Sequence, residues 1–155
     1  MSSAYVVAAA KSDVSTSATM YVTMRLDKQL IGIPVDVVRD VLLRQAVTPI
    51  PLAAKEVAGS LNLRGRIVTV IDVRRRLNLP ERVNNGEGMF VVVEHKNELY
   101  SLMVDSVGEV LTVSTAETEK TPANLNGAWK DVSMGIHKLS NELLVIIDIH
   151  AILTL

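Results

Sequence analysis

The stretch GSLNLRGRIVTVIDVRRRL, residues 59–77, decides how this chain reads. Gly59 opens it, and Asn62-Leu63-Arg64-Gly65 has the composition of a tight turn. Residues 66–71 then read as a strand, apolar after Arg66 except at Thr69, and Asp72 stands where it can cap a turn of helix running to Leu77. A buried strand behind an exposed, glycine-flanked arginine is a scaffold holding one polar contact in place. Arg64 is therefore the first candidate for a functional side chain.

Working back from this stretch, residues 52–58, LAAKEVA, read as a short helix with Gly59 as its C-terminal cap. Residues 47–51, VTPIP, are extended, because two prolines remove donors and bias their neighbours away from helix. Residues 20–26 and 30–33 read as two strands of a hairpin around the polar turn Asp27-Lys28-Gln29. Residues 35–43, VDVVRDVLL, suit a helical turn followed by a strand, since the β-branched content favours strand over most of the segment. Forward of the stretch, residues 80–88 are a loop rich in turn residues.

The second half repeats the first. Residues 20–42 align without a gap on residues 89–111, with Met20/Met89, Val22/Val91, Leu30/Leu99, Asp36/Asp105 and Val41/Val110 identical. Residues 59–77 align on residues 135–153, matching Gly59/Gly135, Leu63/Leu139, Ile71/Ile147 and the capping pair Asp72/Asp148, so a short C-terminal helix is expected after Asp148. Each copy is a strand-rich unit of roughly 65–70 residues, a size whose core is marginal alone, so the two units should share an apolar seam. The polar segment between Leu111 and Gly135, which holds the single tryptophan Trp129, reads as loop.

Aligned repeats share what the fold needs and differ where function diverges. Arg64-Gly65 becomes Ser140-Asn141, so the fold does not require Arg64. Arg39-Asp40 becomes Gly108-Glu109: the acid is kept, and only the first copy offers it an arginine in the following loop.

The composition limits the rest. Of 155 residues, 48% are hydrophobic but only 3% aromatic, so the core is built from Val, Ile, Leu and Met. A net charge of -1 argues against a general binder of nucleic acid or of membrane surfaces. The absence of cysteine excludes disulfides, thiolate metal sites and a cysteine nucleophile. The N-terminal apolar run, residues 5–10, lacks a basic leader, so residues 1–19 read as a flexible tail on a cytoplasmic protein. His95, His137 and His150 lie far apart in sequence with no metal-ligand spacing, and Gly86-Glu87-Gly88 lacks the third glycine and helix of a nucleotide fingerprint. Arg74, Arg75 and Arg76, with Arg64, Arg66 and Arg82, make a basic cluster that reads as a solvated helix face, without interleaved aromatics for base stacking. With no catalytic set, no cofactor and no metal in view, a binding or adaptor role leads.

The run Gly59-x-x-Asn62-Leu63-Arg64-Gly65-x-Ile67-Val68-x-Val70-Ile71-Asp72-x-Arg74 resembles the signature of the CheW-like domain, the domain of the bacterial chemotaxis coupling protein. Thr48-Pro49-Ile50-Pro51, Gly32-Ile33 and Val145-Ile146-Ile147-Asp148 resemble that family in order and spacing, so the likeness covers residues 20–155. Thr69, Val73 and Asp40 depart from the commoner proline, leucine and glutamate, which bears on partner identity more than on function class.

The resemblance implies an all-β chain of two SH3-like five-stranded barrels with an apolar interface, in repeat halves of about 20–85 and 89–155. Because the repeat aligns strand for strand, exchange of strands between the barrels stays open. It implies a non-enzymatic adaptor in a two-component signal-transduction pathway. Such an adaptor links the cytoplasmic helical tips of methyl-accepting chemoreceptors to the regulatory domain of the histidine kinase CheA. Val38, Asp40 and Arg64 match positions tied to partner binding in the family, with Gly59 near them and Gly65 beside Arg64. An ion pair from Asp40 is expected to orient Arg64, with Val38 supplying apolar contact. An adaptor of another chemosensory pathway, such as surface motility, and a nucleic-acid-binding barrel using the cluster from Arg64 to Arg82 are the alternatives. Steep loss of affinity with salt would mark the latter.

Overall fold

The computed structural model describes residues 18–81, 88–125 and 127–154. Ten strands dominate these residues: β1 Ala18–Leu26, β2 Gln29–Pro34, β3 Val38–Leu43, β4 Val57–Leu63, β5 Arg66–Asp72, β6 Met89–His95, β7 Glu98–Val104, β8 Ser106–Ser114, β9 Ser133–Lys138 and β10 Leu143–Ile147. They form two five-stranded sheets, in the orders β8-β1-β2-β10-β9 and β3-β6-β7-β5-β4. Each sheet draws strands from both repeat halves. The parallel contacts are β2 with β10 and β5 with β7, and the other pairings are antiparallel. The hairpins β1–β2 and β6–β7 turn through Asp27-Lys28 and Lys96-Asn97, all at positive φ, as a two-residue I′ turn needs.

The apolar runs are continuous because both faces of many strands are buried. Along β10, Leu144 and Ile146 pack in the first sheet's own core with Tyr21, Leu30 and Val113, while Val145 and Ile147 face the other way. Along β5 and β6, Val68, Val70 and Phe90 pack in the second sheet's own core with Leu61, while Ile71, Val91 and Val93 face away. The outward sets meet in the largest buried cluster, which joins Val22, Met24 and Ile31 of one sheet to Val91, Val93 and Leu102 of the other. This is the seam expected from two units too small to bury their apolar surface alone.

Short helices close the seam: α1 Val73–Arg76, α2 Gly127–Val132 and α3 Ile149–Leu153. Asp72 caps α1 by accepting from Arg75 N, and its repeat partner Asp148 caps α3 by accepting from His150 N and Ala151 N.

Four expectations are corrected. Residues 52–58 form no helix: Leu52 is left-handed at φ 63°, turns close from Ala53 N to Ile50 O and from Val57 N to Ala54 O, and Val57 already begins β4. Seven residues are too few to hold a helix against a competing strand ladder. Gly59 accordingly lies inside β4 and caps nothing. The segment read as loop after Leu111 contains the end of β8 and α2, which buries Trp129 and Val132 in the seam. Finally, β1 begins at Ala18, inside the stretch read as tail. Most of the loop expected over residues 80–88, including Arg82 and Gly86-Glu87, lies outside the described residues.

Candidate functional site

The tetrapeptide at residues 62–65 is the β4–β5 hairpin turn. Arg64 and Gly65 occupy its two central positions at φ 51° and 87°, and Asn62 Oδ1 accepts from Gly65 N at 2.9 Å. Such turns favour asparagine or glycine at both positions, and a side chain with a Cβ in left-handed backbone costs about 1–2 kcal/mol. Arg64 thus stands where the fold would prefer another residue. Its side chain is 78% exposed.

Asp40 reaches Arg64 from β3. The pairing of β3 with β6 slips by one residue between Val38 and Asp40, a bulge at Arg39. The bulge changes which face the strand presents: Val38 packs toward the seam, whereas Leu42 packs in the second sheet's own core. Asp40 shares the face of Leu42 by strand alternation. Its Oδ1 accepts from Val41 N at 2.9 Å, and its Oδ2 lies 3.1 Å from Arg64 Nη2. That second contact is an ion pair off the line of a hydrogen bond, so buried Oδ2 has no hydrogen-bond partner among the described residues. β3 and β4 are opposite edges of their sheet, yet the turn after β4 touches β3; the sheet is curled enough to bring its two ends together.

A hollow of about 200 Å³ lies at this point, lined by apolar Leu63, Val92 and Leu99 and by charged Arg39, Asp40 and Arg64. Arg39 Nε donates to Glu94 Oε1 at 3.0 Å and its Nη1 to Asp36 O at 2.6 Å. Arg66 also lines the hollow and makes no ion pair among the described residues. Sequence reasoning missed Glu94 and placed Arg66 only in the basic cluster, not in this hollow, and the repeat held the signal. Their counterparts in the other copy are Arg25 and Glu142, which form a two-pronged pair at 2.7 and 2.8 Å with the charges reversed. That pairing holds the Glu142 carboxyl below its ordinary range, chiefly through the hydrogen bonds from Arg25.

Of the residues expected at the site, Asp40, Arg64 and Gly65 come together. Val38 lies two residues before Asp40, half-buried against the seam. Gly59 lies near the start of β4, about 16 Å along the strand from Arg64. A Cβ there would sit 2.2 Å from Thr48 O, so its role visible in the fold is close backbone approach.

A larger hollow of about 550 Å³ is lined by Asp72, Arg74, Arg75 and Asp105, but these charges answer one another. Arg74 donates to both Asp105 oxygens at 3.0 and 2.7 Å, bonds that raise its pKa further, and Arg75 contacts Asp72 and Glu81. Arg76 donates to the carbonyls of Ala151 and Ile152 at the end of α3. The arginine run is therefore not a solvated face: Arg74 is only 15% exposed, and two of its three members hold the halves together. Nothing in it favours nucleic acid. The described residues contain no group of three or more side chains suited to a metal and no helix long and apolar enough to cross a membrane.

The comparisons agree with this architecture. The profile of the CheW-like domain family matches residues 20–155. The chain is 33% identical over 144 residues to "Chemotaxis protein CheW" of Bacillus subtilis, covering 91% of this chain and 90% of that one. It is 29% identical to the protein of the same name from Treponema pallidum, covering 83% and 78%. The crystal structure of the scaffolding protein TtCheW from Thermoanaerobacter tengcongensis superposes with a TM-score of 0.79 at 26% identity, covering 88% of this chain and 93% of that one. Two five-stranded sheets on one seam, an arginine-tipped hairpin and a family match over residues 20–155 lead to one assignment: this chain belongs to the CheW-like domain family.

Proposed function

We propose that this chain, a non-catalytic chemotaxis adaptor, couples the cytoplasmic helical tips of chemoreceptors to the regulatory domain of a histidine kinase in the cytoplasm. Asp40, Arg64 and Gly65 mark the face that meets the receptor, Val38 supports β3 beneath it from the seam side, and Gly59 shapes the strand behind it.

One observation carries the reading: the Arg64–Asp40 pair across the curled ends of the second sheet. An ion pair with one member this exposed adds at most about 1 kcal/mol to stability, and the turn itself disfavours arginine. Folding does not explain Arg64; presentation of a cation at a fixed point does. The half-satisfied Asp40 carboxylate holds that cation, and the hollow beside it offers Leu63 and Leu99 as apolar contact for a helix laid against it. Exposed Leu43, Ile50, Leu52 and Ile67 on and around the same sheet supply apolar surface for a second protein partner.

Arg64→Ala is expected to weaken binding of a receptor cytoplasmic fragment by about tenfold or more, the usual loss for a charged anchor. Its melting transition should stay within about 0.5 kcal/mol of the parent. Unaltered receptor affinity in a folded variant sinks the assignment of Arg64. Failure of the parent chain to capture both receptor and kinase fragments sinks the coupling role.

A further inference from the structure

Arg66 opens β5, is exposed, and makes no ion pair among the described residues. The hollow it lines carries three arginines, Arg39, Arg64 and Arg66, against two carboxylates, Asp40 and Glu94. Both carboxylates are engaged, Asp40 with Arg64 at 3.1 Å and Glu94 with Arg39 at 3.0 Å. Arg66 is the cation left over.

The repeat shows what these positions do elsewhere. Arg66 and Glu94 align with Glu142 and Arg25, which close on each other in a two-pronged pair at 2.7 and 2.8 Å. Arg66 and Glu94 carry the same two charges exchanged, yet they do not pair. Arg39, which stands where the other copy has Gly108, takes Glu94 instead. The charge balance differs accordingly. The second copy sets Arg25 against Glu109 and Glu142, with Gly108 and Ser140 in place of two arginines. Where the second copy has a carboxylate in surplus, the first has a cation.

The rest of the hollow is apolar: Leu63, Val92 and Leu99. At about 200 Å³ it is smaller than the pockets of about 300–1,000 Å³ that enclose small molecules, so it suits one side chain of a larger partner. A single surplus cation beside an apolar wall matches a singly charged carboxylate. A doubly charged phosphate would keep one charge unanswered beside Asp40 and Glu94. We propose, resting on the assignment of this face to the receptor, that Arg66 is a specificity-determining residue of that face. It receives an aspartate or glutamate of the receptor helix, while an apolar residue three or four positions along the same helix face seats on Leu63 and Leu99. Arg64, held by Asp40, fixes position; Arg66, unheld, supplies the charge that selects the partner.

The test titrates a receptor cytoplasmic fragment into the full chain by calorimetry, at low and at high salt. Arg66→Gln should weaken binding about fivefold, the upper end for an exposed ion pair, and should flatten its salt dependence. Arg66→Glu should weaken it by at least about tenfold, because it sets a like charge against the incoming carboxylate. Lys130→Glu, the same change of charge on exposed α2, should leave affinity unaltered. In the unsubstituted chain the Arg66 Nε–H signal should move when the fragment is added, a readout independent of how the variants fold. Parent-like binding by both Arg66 variants, with Arg64→Ala weakened, would overturn the role of Arg66 and leave the receptor assignment standing. A loss with Lys130→Glu equal to that with Arg66→Glu would reduce the effect to net charge and overturn it too, as would an Arg66 signal that does not move. A parent chain that does not bind the fragment would overturn the receptor assignment and this role with it.

Discussion

Two glycines of the organising stretch do opposite work, and the difference is measurable. At Gly59 the backbone is left-handed at φ 149°, and a Cβ would meet Thr48 O at 2.2 Å and Val47 Cγ1 at 2.6 Å. Neither neighbour can retreat freely, because Thr48 and Ser60 exchange backbone hydrogen bonds at 2.9 and 2.8 Å. Gly59→Ala combines backbone strain with overpacking and should cost about 2–5 kcal/mol. At Gly65, φ is 87° but nothing lies within 4 Å of an added Cβ. Gly65→Ala should cost about 1 kcal/mol, the left-handed penalty less the entropy removed from the unfolded chain. Urea titration of both variants checks the ordering, and equal losses would refute the close-approach account of Gly59. The sequence made both residues visible as glycines shared or not shared between copies. It did not make Thr48 visible, because a backbone carbonyl pressed on a glycine leaves no mark in residue type.

Among the elements, the strands and capped helices were legible, whereas the course of residues 52–58 and α2 were not. Asp72 and Asp148 announce their helices because a capping carboxylate is local chemistry. Residues 52–58 carry good helix formers, yet β4 must begin at Val57 to pair with Ile71, and that ladder decides the segment. α2 is hidden for the converse reason: its glycine start and short length give no period to read, and it forms because Trp129 and Val132 find the seam. Arg76 was equally hidden, since its partners are carbonyls 75 and 76 residues away in sequence. Its guanidinium covers the exposed end of α3 by hydrogen bonds of 3.1 Å to Ile152 O and 2.9 Å to Ala151 O. Arg76→Ala leaves those carbonyls without that donor and should cost about 1–3 kcal/mol, while speeding amide exchange throughout α3. Arg75→Ala, which removes a half-exposed guanidinium paired with solvated Glu81 and with the capping Asp72, should cost less than Arg76→Ala, about 0.5 kcal/mol. If the two variants unfold at the same urea concentration, Arg76 is not a helix cap.

At the scale of the molecule, the repeat was plain in the sequence but its wiring was not, because equivalent strands satisfy the same pattern within a half or across halves. The structure joins β8 to β1, β10 to β2, β6 to β3 and β7 to β5, so four ladders run between the halves and each half keeps only its own hairpins. The side-chain ties follow the same rule. Arg25–Glu142, Arg39–Glu94 and Arg74–Asp105 each join one half to the other, and Arg76 joins α1 to α3. The largest buried cluster is likewise shared. A chain wired this way has no division along its sequence at which it can open one unit and keep the other. Heat and urea should therefore unfold it in a single transition with coincident fluorescence and circular-dichroism midpoints, Trp129 reporting the seam. Residues 1–81 and 88–155 expressed separately should each lack a cooperative melt, since each presents unpaired strand edges and half of the shared core. Mixed in equal amounts they should recover the parent spectrum and the proposed binding to receptor fragment. A cooperative melt from either half alone would show that a half re-pairs its own strands, and would remove the exchange of strands as the reason the chain unfolds as one body.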